Sequence, residues 1–167
     1  MAEVTLRNAG PTSEESLWLM LYYASHSNDQ KCVTPEGVRR DPYLARYVAG
    51  WGRPGDSGVI AELEGNVVGA AWVRLLVGDE QSDISFVDAE TPELAVAVLP
   101  GLEGQRIGTA MMERLFEVGR GRYPAIVLTV RKENPAMHLY ERLGFETVDS
   151  VTNRVGTESV KMVLTLD

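Results

Sequence analysis

The residues with the strongest claim to chemistry lie in "LPGLEGQRIGTAMM", residues 99–112, where a glycine-rich run turns directly into an apolar, helical pattern. A helix N-terminus carries unpaired amide N–H groups and the positive end of the helix dipole. Glycines keep side-chain bulk away from those groups, so such a run is suited to receive an anion. Residues 103–109 have all three features: Gly104 and Gly108 permit close approach, and the helix is expected to start near Ile107. No GK[ST] is present, so this is not a nucleotide P-loop, and glycines at 101, 104 and 108 do not form G-x-G-x-x-G, so the dinucleotide fingerprint fails too. A plain strand-to-helix turn would use glycines as well. Two charges, Glu103 and Arg106, stand where a plain phosphate loop has neither.

Several elements must hold this loop. "PELAVAVLP" (92–100) reads as a strand stopped by Pro100. Behind the loop, Ile107, Met111, Leu115 and Val118 keep helical spacing to about Arg120. "AIVLTV" (125–130) is a near-continuous apolar strand, as expected in a sheet covered on both faces. "NPAMHLYERLGF" (134–145) carries helix punctuation: Asn134 as cap, Pro135 at the first position and Gly144 just past the end.

Upstream, "EVTLRN" (3–8) reads as a strand. A helix follows, with a Thr12–Glu15 capping box and Leu17, Met20, Leu21 and Ala24 on one face. Residues 26–41 are polar and loop-like, and "DPYLARYVAGWGRPGD" (41–56) opens as a short helix with Pro42 at its first position. Residues 57–76 form the clearest hairpin, two β-branched runs around "EGN". "ETVDSV" and "ESVKMVLTL" close the chain as two strands. The order β-α-α-β-β-β-α-β-α-β-β predicts one α/β domain over 1–167, a mixed sheet with helices on its faces.

With 167 residues, 44% of them hydrophobic, the chain is long enough to bury a core without disulfides or metals. Cys32 is the one cysteine and His26 and His138 are the two histidines, so no intrachain disulfide and no metal are expected. The polar N-terminus is not a signal peptide, and no apolar run reaches membrane-spanning length, so the expected location is the cytoplasm. A formal charge of −8 speaks against nucleic acid; it either favours a cationic small molecule or serves solubility.

The second half of the chain resembles the GNAT superfamily of acyl-CoA-dependent N-acetyltransferases. The family hallmark is V-x-P-x-x-[QR]-x-x-G-x-[GA] and, one strand later, N-x-x-A-x-x-L-Y-x-x-x-G-F. Here the first part appears as Val98, Pro100 and the loop, and the second as Asn134, Leu139, Tyr140, Gly144 and Phe145, with Met137 in place of the usual alanine. Upstream stretches resemble bacterial members. Two registers fit the loop. Counted from Val98 and Pro100, the Gln/Arg position falls on Glu103 and the first glycine on Arg106. Counted literally, Gln105, Gly108 and Ala110 match two residues further on. The first keeps the strand-to-loop spacing and is preferred.

The resemblance implies a seven-stranded, mostly antiparallel mixed sheet that splays between the strand at 92–99 and the strand at 125–130. It implies that acetyl-CoA is a co-substrate, with its pyrophosphate on the amides of Gln105, Arg106, Ile107, Gly108 and Thr109 and with Gly104 nearby. The pantetheine arm would lie along backbone of Val98 and Leu99, bonded also by Asn134. Tyr140 would protonate the leaving thiolate, and Glu93 would remove the acceptor's proton, with Asp88 and Glu90 as alternatives. On their residues alone, Asn134 is an ordinary cap, Tyr140 belongs to a buried stripe with Ala136, Leu139 and Leu143, and Glu93 begins a strand. The expected reaction is direct acetyl transfer to a primary amine, small or peptidic, in a ternary complex. The alternatives are a non-catalytic acyl-CoA sensor of the same fold and an unrelated phosphate-binding domain. Trp18, Tyr22, Tyr43, Tyr47, Trp51 and Trp72 either line an acceptor pocket or pack the core. A homodimer is compatible with folds of this kind.

Overall fold

The computed structural model describes residues 3–26, 34–78, 85–102, 104–152 and 156–166. Cys32 and Glu103 lie outside the described residues.

The strands are β1 (Val4–Asn8), β2 (Ser57–Leu63), β3 (Asn66–Arg74), β4 (Glu93–Val98), β5 (Ala125–Arg131), β6 (Glu146–Thr152) and β7 (Glu158–Thr165). The helices are α1 (Glu14–His26), α2 (Pro35–Arg40), α3 (Pro42–Ala45), α4 (Ile107–Gly119) and α5 (Ala136–Arg142). All seven strands form one sheet in the order β1-β2-β3-β4-β5-β7-β6. Every neighbouring pair is antiparallel except β4 and β5, which are parallel and paired only at Glu93 and Val127. Beyond that single pair the two strands diverge, so the sheet is forked at its centre.

Period-two alternation sends one set of side chains to each face. From β4, Leu94, Val96 and Val98 join the core under α4, with Ile107, Met111, Met112, Leu115 and Phe116. Ala95 and Ala97 join the opposite core under α1, with Leu17, Met20, Leu21 and Trp72. The fork between β4 and β5 therefore lies between two packed layers. The β2–β3 hairpin turns at Glu64 and Gly65, both at positive φ (52° and 82°), the pairing that a two-residue turn between twisted strands requires.

Two local expectations change. Helix α2 occupies residues expected as loop: Thr34 caps it by accepting the Gly37 N–H at 2.9 Å, and it buries only Val38. So short and polar a helix has no periodicity to reveal it. Helix α1 begins at Glu14, with Ser13 rather than Thr12 beside it. The buried Ser13 hydroxyl accepts the Gly10 N–H at 2.9 Å, and Glu15 pairs with Arg39 instead of reaching back to close a capping box.

Candidate active site

The loop after β4 is shaped by three residues in left-handed conformation: Gly101 (φ 91°), Gly104 (φ 84°) and Arg106 (φ 63°). Arg106 stands immediately before α4 and makes no side-chain cap. An arginine in this region is strained where a glycine would not be, and its place is that of the motif's first glycine in the register counted from Val98 and Pro100. The Ala110 N–H is the first along α4 to bond back, to the Arg106 carbonyl at 3.0 Å. The amides of Ile107, Gly108 and Thr109 form the helix's open N-terminal turn. A Cβ built on Gly108 would meet only Val98 Cγ2, at 3.9 Å, an ordinary contact. Nothing in the protein's own packing requires glycine there. A helical glycine costs up to about 1 kcal/mol relative to alanine, so this site fits a ligand that must come close to backbone.

On the other side of the fork, the Asn134 carboxamide oxygen accepts the Ala136 N–H at 2.9 Å and caps α5. The helix ends as its glycine predicts: the Phe145 N–H bonds to the Tyr140 carbonyl and the Gly144 N–H to the Glu141 carbonyl, with Gly144 at φ 107°. That termination seats Phe145 in the core, edge-on to Tyr140 at 5.9 Å between ring centres. Burial pushes the Tyr140 phenol up to about 12.

Loop and helix face one cavity of about 760 Å³. Gly104, Arg106, Ile107, Gly108 and Thr109 line one end, and Asn134, Leu139 and Tyr140 line the α5 side, with Val96 and Val98 between them. Strand β4 explains the middle. The Pro92 carbonyl accepts the Val127 N–H at 3.0 Å, and the Leu99 N–H donates to Val68 O at 2.9 Å. By alternation the backbone groups of Val96 and Val98 turn into the fork, and that of Leu99 turns back into the sheet.

The structure brings most of the expected residues to one cavity and leaves three of them outside its lining. Leu99 is not part of the lining, and its amide is already used in pairing with β3, whereas Val96 is in the lining. Gln105 is exposed and outside the lining. Glu93 is 6% exposed and absent from the lining. Its Oε1 accepts the Ser85 hydroxyl at 2.6 Å, its Oε2 accepts the Tyr47 hydroxyl, and the Arg46 guanidinium lies 4.0 Å away. Of the alternatives, Asp88 is held below the usual carboxylate range by the Glu90 amide and the Thr91 hydroxyl, and neither Asp88 nor Glu90 lines the cavity. The six aromatics offered for an acceptor pocket pack in or against the α1-side core, and none lines the cavity. Sequence reading missed Tyr23, Met112, Arg131 and Arg142 in the lining. The two arginines flank the "NPAMHLY" stretch, and on a chain of net charge −8 that placement was the available signal. Among the described residues no helix is long and apolar enough to cross a membrane.

Comparison with known proteins agrees with this architecture. Residues 18–145 match the model of the acetyltransferase (GNAT) family. A stretch of 113 residues is 32% identical to YjgM, an uncharacterised N-acetyltransferase of Escherichia coli (strain K12), covering 65% of this chain and 62% of that protein. The chain therefore spans less than two thirds of that relative's length. The fold is shared with YncA from Salmonella typhimurium, solved with its cofactor acetyl-CoA (TM-score 0.65, 23% identity, 98% of this chain and 94% of that one). It is shared too with the ribosomal-protein-S18-alanine N-acetyltransferase of Escherichia coli (TM-score 0.65, 18% identity, 99% and 95%). The chain belongs to the GNAT acetyltransferase family.

Proposed function

We propose that this protein transfers an acetyl group from acetyl-CoA to a primary amine by direct attack within a ternary complex. The observation that carries the reading is one cavity that joins the open first turn of α4, a forked strand edge and the partly buried Tyr140 phenol.

The open amides of Ile107, Gly108 and Thr109 hold the pyrophosphate at the positive end of α4, and Gly108 keeps the approach clear. Arg106, Arg131 and Arg142 on the lining add positive charge for the ligand's phosphates. Val96 and Val98 offer backbone groups to the pantetheine amides, which take the place of a missing strand between β4 and β5. The Asn134 oxygen is committed to its cap, so its NH2 group is the part turned to use by the pantetheine.

In the reaction the neutral amine's lone pair attacks the thioester carbonyl carbon. The tetrahedral intermediate collapses with cleavage of the C–S bond, and the bond's electron pair goes to sulfur. Tyr140 donates its phenolic proton to that sulfur, the nitrogen releases its surplus proton to solvent, and solvent reprotonates Tyr140. Because burial raises the phenol to about 12, Tyr140 holds its proton across the whole working pH range. Of the proteins named above, the Escherichia coli enzyme is named for an alanine of ribosomal protein S18; the acceptor proposed here is a primary amine, small or peptidic.

A CoA-release assay over a panel of amines, run on wild type and Tyr140→Phe, tests this. Loss of the proton donor should lower kcat by about 10²–10³-fold and leave the acetyl-CoA Kd unchanged. Wild-type protein that binds acetyl-CoA but acetylates no amine would refute catalysis and favour a sensor.

A further inference from the structure

We propose that Glu93 is a positioning residue: its carboxylate clamps the 85–92 connection and the α3 turn onto the root of β4, and so sets the fork that receives the pantetheine arm. This rests on the functional reading above for what occupies the fork. The reading expected from the sequence, Glu93 as proton acceptor, is replaced.

Three features place the clamp. Glu93 is the β4 residue in the one pair that joins β4 to β5, so whatever holds Glu93 holds the point from which the strands diverge. Its two carboxylate oxygens are each taken by a hydroxyl from a different segment. Ser85, 3% exposed, donates from the connection that leads into β4, and Tyr47 donates from the turn after α3. Arg46, itself 7% exposed, donates to the Tyr47 hydroxyl at 2.9 Å and to the Tyr43 carbonyl at 2.8 Å, and supplies the opposing charge.

The same end of the 85–92 connection is tied a second time. Lys161 on β7 donates to the Phe86 carbonyl at 2.8 Å. In the strand order β7 is the far neighbour of β5, so residues 85 and 86 link β4 to β7 across β5. The connection is a strap over the root of the fork, fastened by Glu93 on one side and Lys161 on the other.

A carboxylate used in this way is poorly suited to be a base. A proton added to it would displace one of the two hydroxyl donors, and the residue is buried and outside the cavity lining. Burial, reinforced by the Glu93 charge, pushes the Tyr47 phenol well above its usual range, so Tyr47 remains a donor to Glu93 at any working pH.

Positioning and base catalysis separate in the affinity for acetyl-CoA, which needs no acceptor to measure. Glu93→Gln puts an NH2 donor where a hydroxyl donor already points. By calorimetry, Glu93→Gln and Ser85→Ala should each weaken acetyl-CoA binding by about 5–10-fold, and Lys161→Met should act in the same direction. Because one clasp is broken in each case, the Glu93→Gln/Ser85→Ala double variant should be no weaker than Glu93→Gln alone. At saturating acetyl-CoA, kcat should stay within about threefold of wild type in Ser85→Ala and Glu93→Gln. If Glu93→Gln leaves the acetyl-CoA Kd unchanged and lowers kcat by about 100-fold or more while Ser85→Ala is silent, Glu93 is the base and the clamp is refuted. Should Glu93→Gln not fold, Ser85→Ala and Lys161→Met decide by the same affinity readout. Wild-type protein that binds no acetyl-CoA sinks the functional reading and the clamp together. Wild-type binding with unaltered affinity in all three variants sinks the clamp alone.

Discussion

Gly108→Ala separates what the protein needs for itself from what it needs for its ligand. Gly108 sits in the first turn of α4, where alanine is the better helix former by up to about 1 kcal/mol. The added methyl meets only Val98 Cγ2, at 3.9 Å, so no packing penalty opposes that gain. The free variant should therefore melt higher than wild type by up to about 2–4 °C, the shift expected for 1 kcal/mol in a domain of this size.

Binding should move the other way. A phosphate oxygen must come within about 2.7–3.2 Å of an amide nitrogen to bond it, and a methyl on the same turn holds it off. Losing one charge-assisted hydrogen bond of about 1.5–3 kcal/mol weakens acetyl-CoA by roughly 10–100-fold. Thermal melts with and without ligand report both effects. At a ligand concentration 100 times the wild-type Kd, wild type gains about 2.7 kcal/mol, whereas a variant weakened tenfold gains about 1.4 kcal/mol. A Gly108→Ala protein that binds as tightly as wild type would refute the assignment of the pyrophosphate to these amides. A variant that melts lower without ligand would show that the methyl meets something other than Val98.

Arg106→Gly should relieve a left-handed arginine worth about 1–2 kcal/mol, partly offset by the greater freedom of glycine in the unfolded chain, for a net rise of about 2 °C in Tm. The same variant should bind acetyl-CoA a few-fold more weakly at low salt, with the difference shrinking at about 0.5 M salt as the phosphate contact is screened; equal affinity at all salt concentrations would make the arginine a bystander. The Tyr140 phenol is raised from 10 in the unfolded chain to about 12 in the fold, so its contribution to stability is intact below pH 10 and is lost as the pH climbs through 12. Melts across that window should fall more steeply for wild type than for Tyr140→Phe, with Tyr47 adding to the residual slope.

Much of the site was legible because it is made of local signals. The glycine run before α4 and the Asn134 and Gly144 boundaries of α5 follow from backbone requirements that adjacent residues satisfy, and the structure realises each of them. Arg106 was legible as a departure, and its positive φ gives the departure a cost. Glu93 was not legible. Its sequence neighbours predict only the start of a strand, whereas its partners Ser85, Tyr47 and Arg46 come from two other segments. The same holds for Leu99 and Val96, whose roles depend on which way each amide turns once β3 is paired.

The sequence by itself determined the order of the strands and of the longer helices, the glycine-rich loop before α4 and the helix that presents Tyr140, since each depends on periodicity and capping among near neighbours. Tertiary structure decided that β4 and β5 touch at one pair and then part, that the loop and Tyr140 thereby face the same cavity, and that Glu93 is enclosed outside it. Those outcomes depend on which segments share a low-dielectric interior, where each buried hydroxyl and carboxylate must find a partner, and that pairing is settled only when distant parts of the chain pack together.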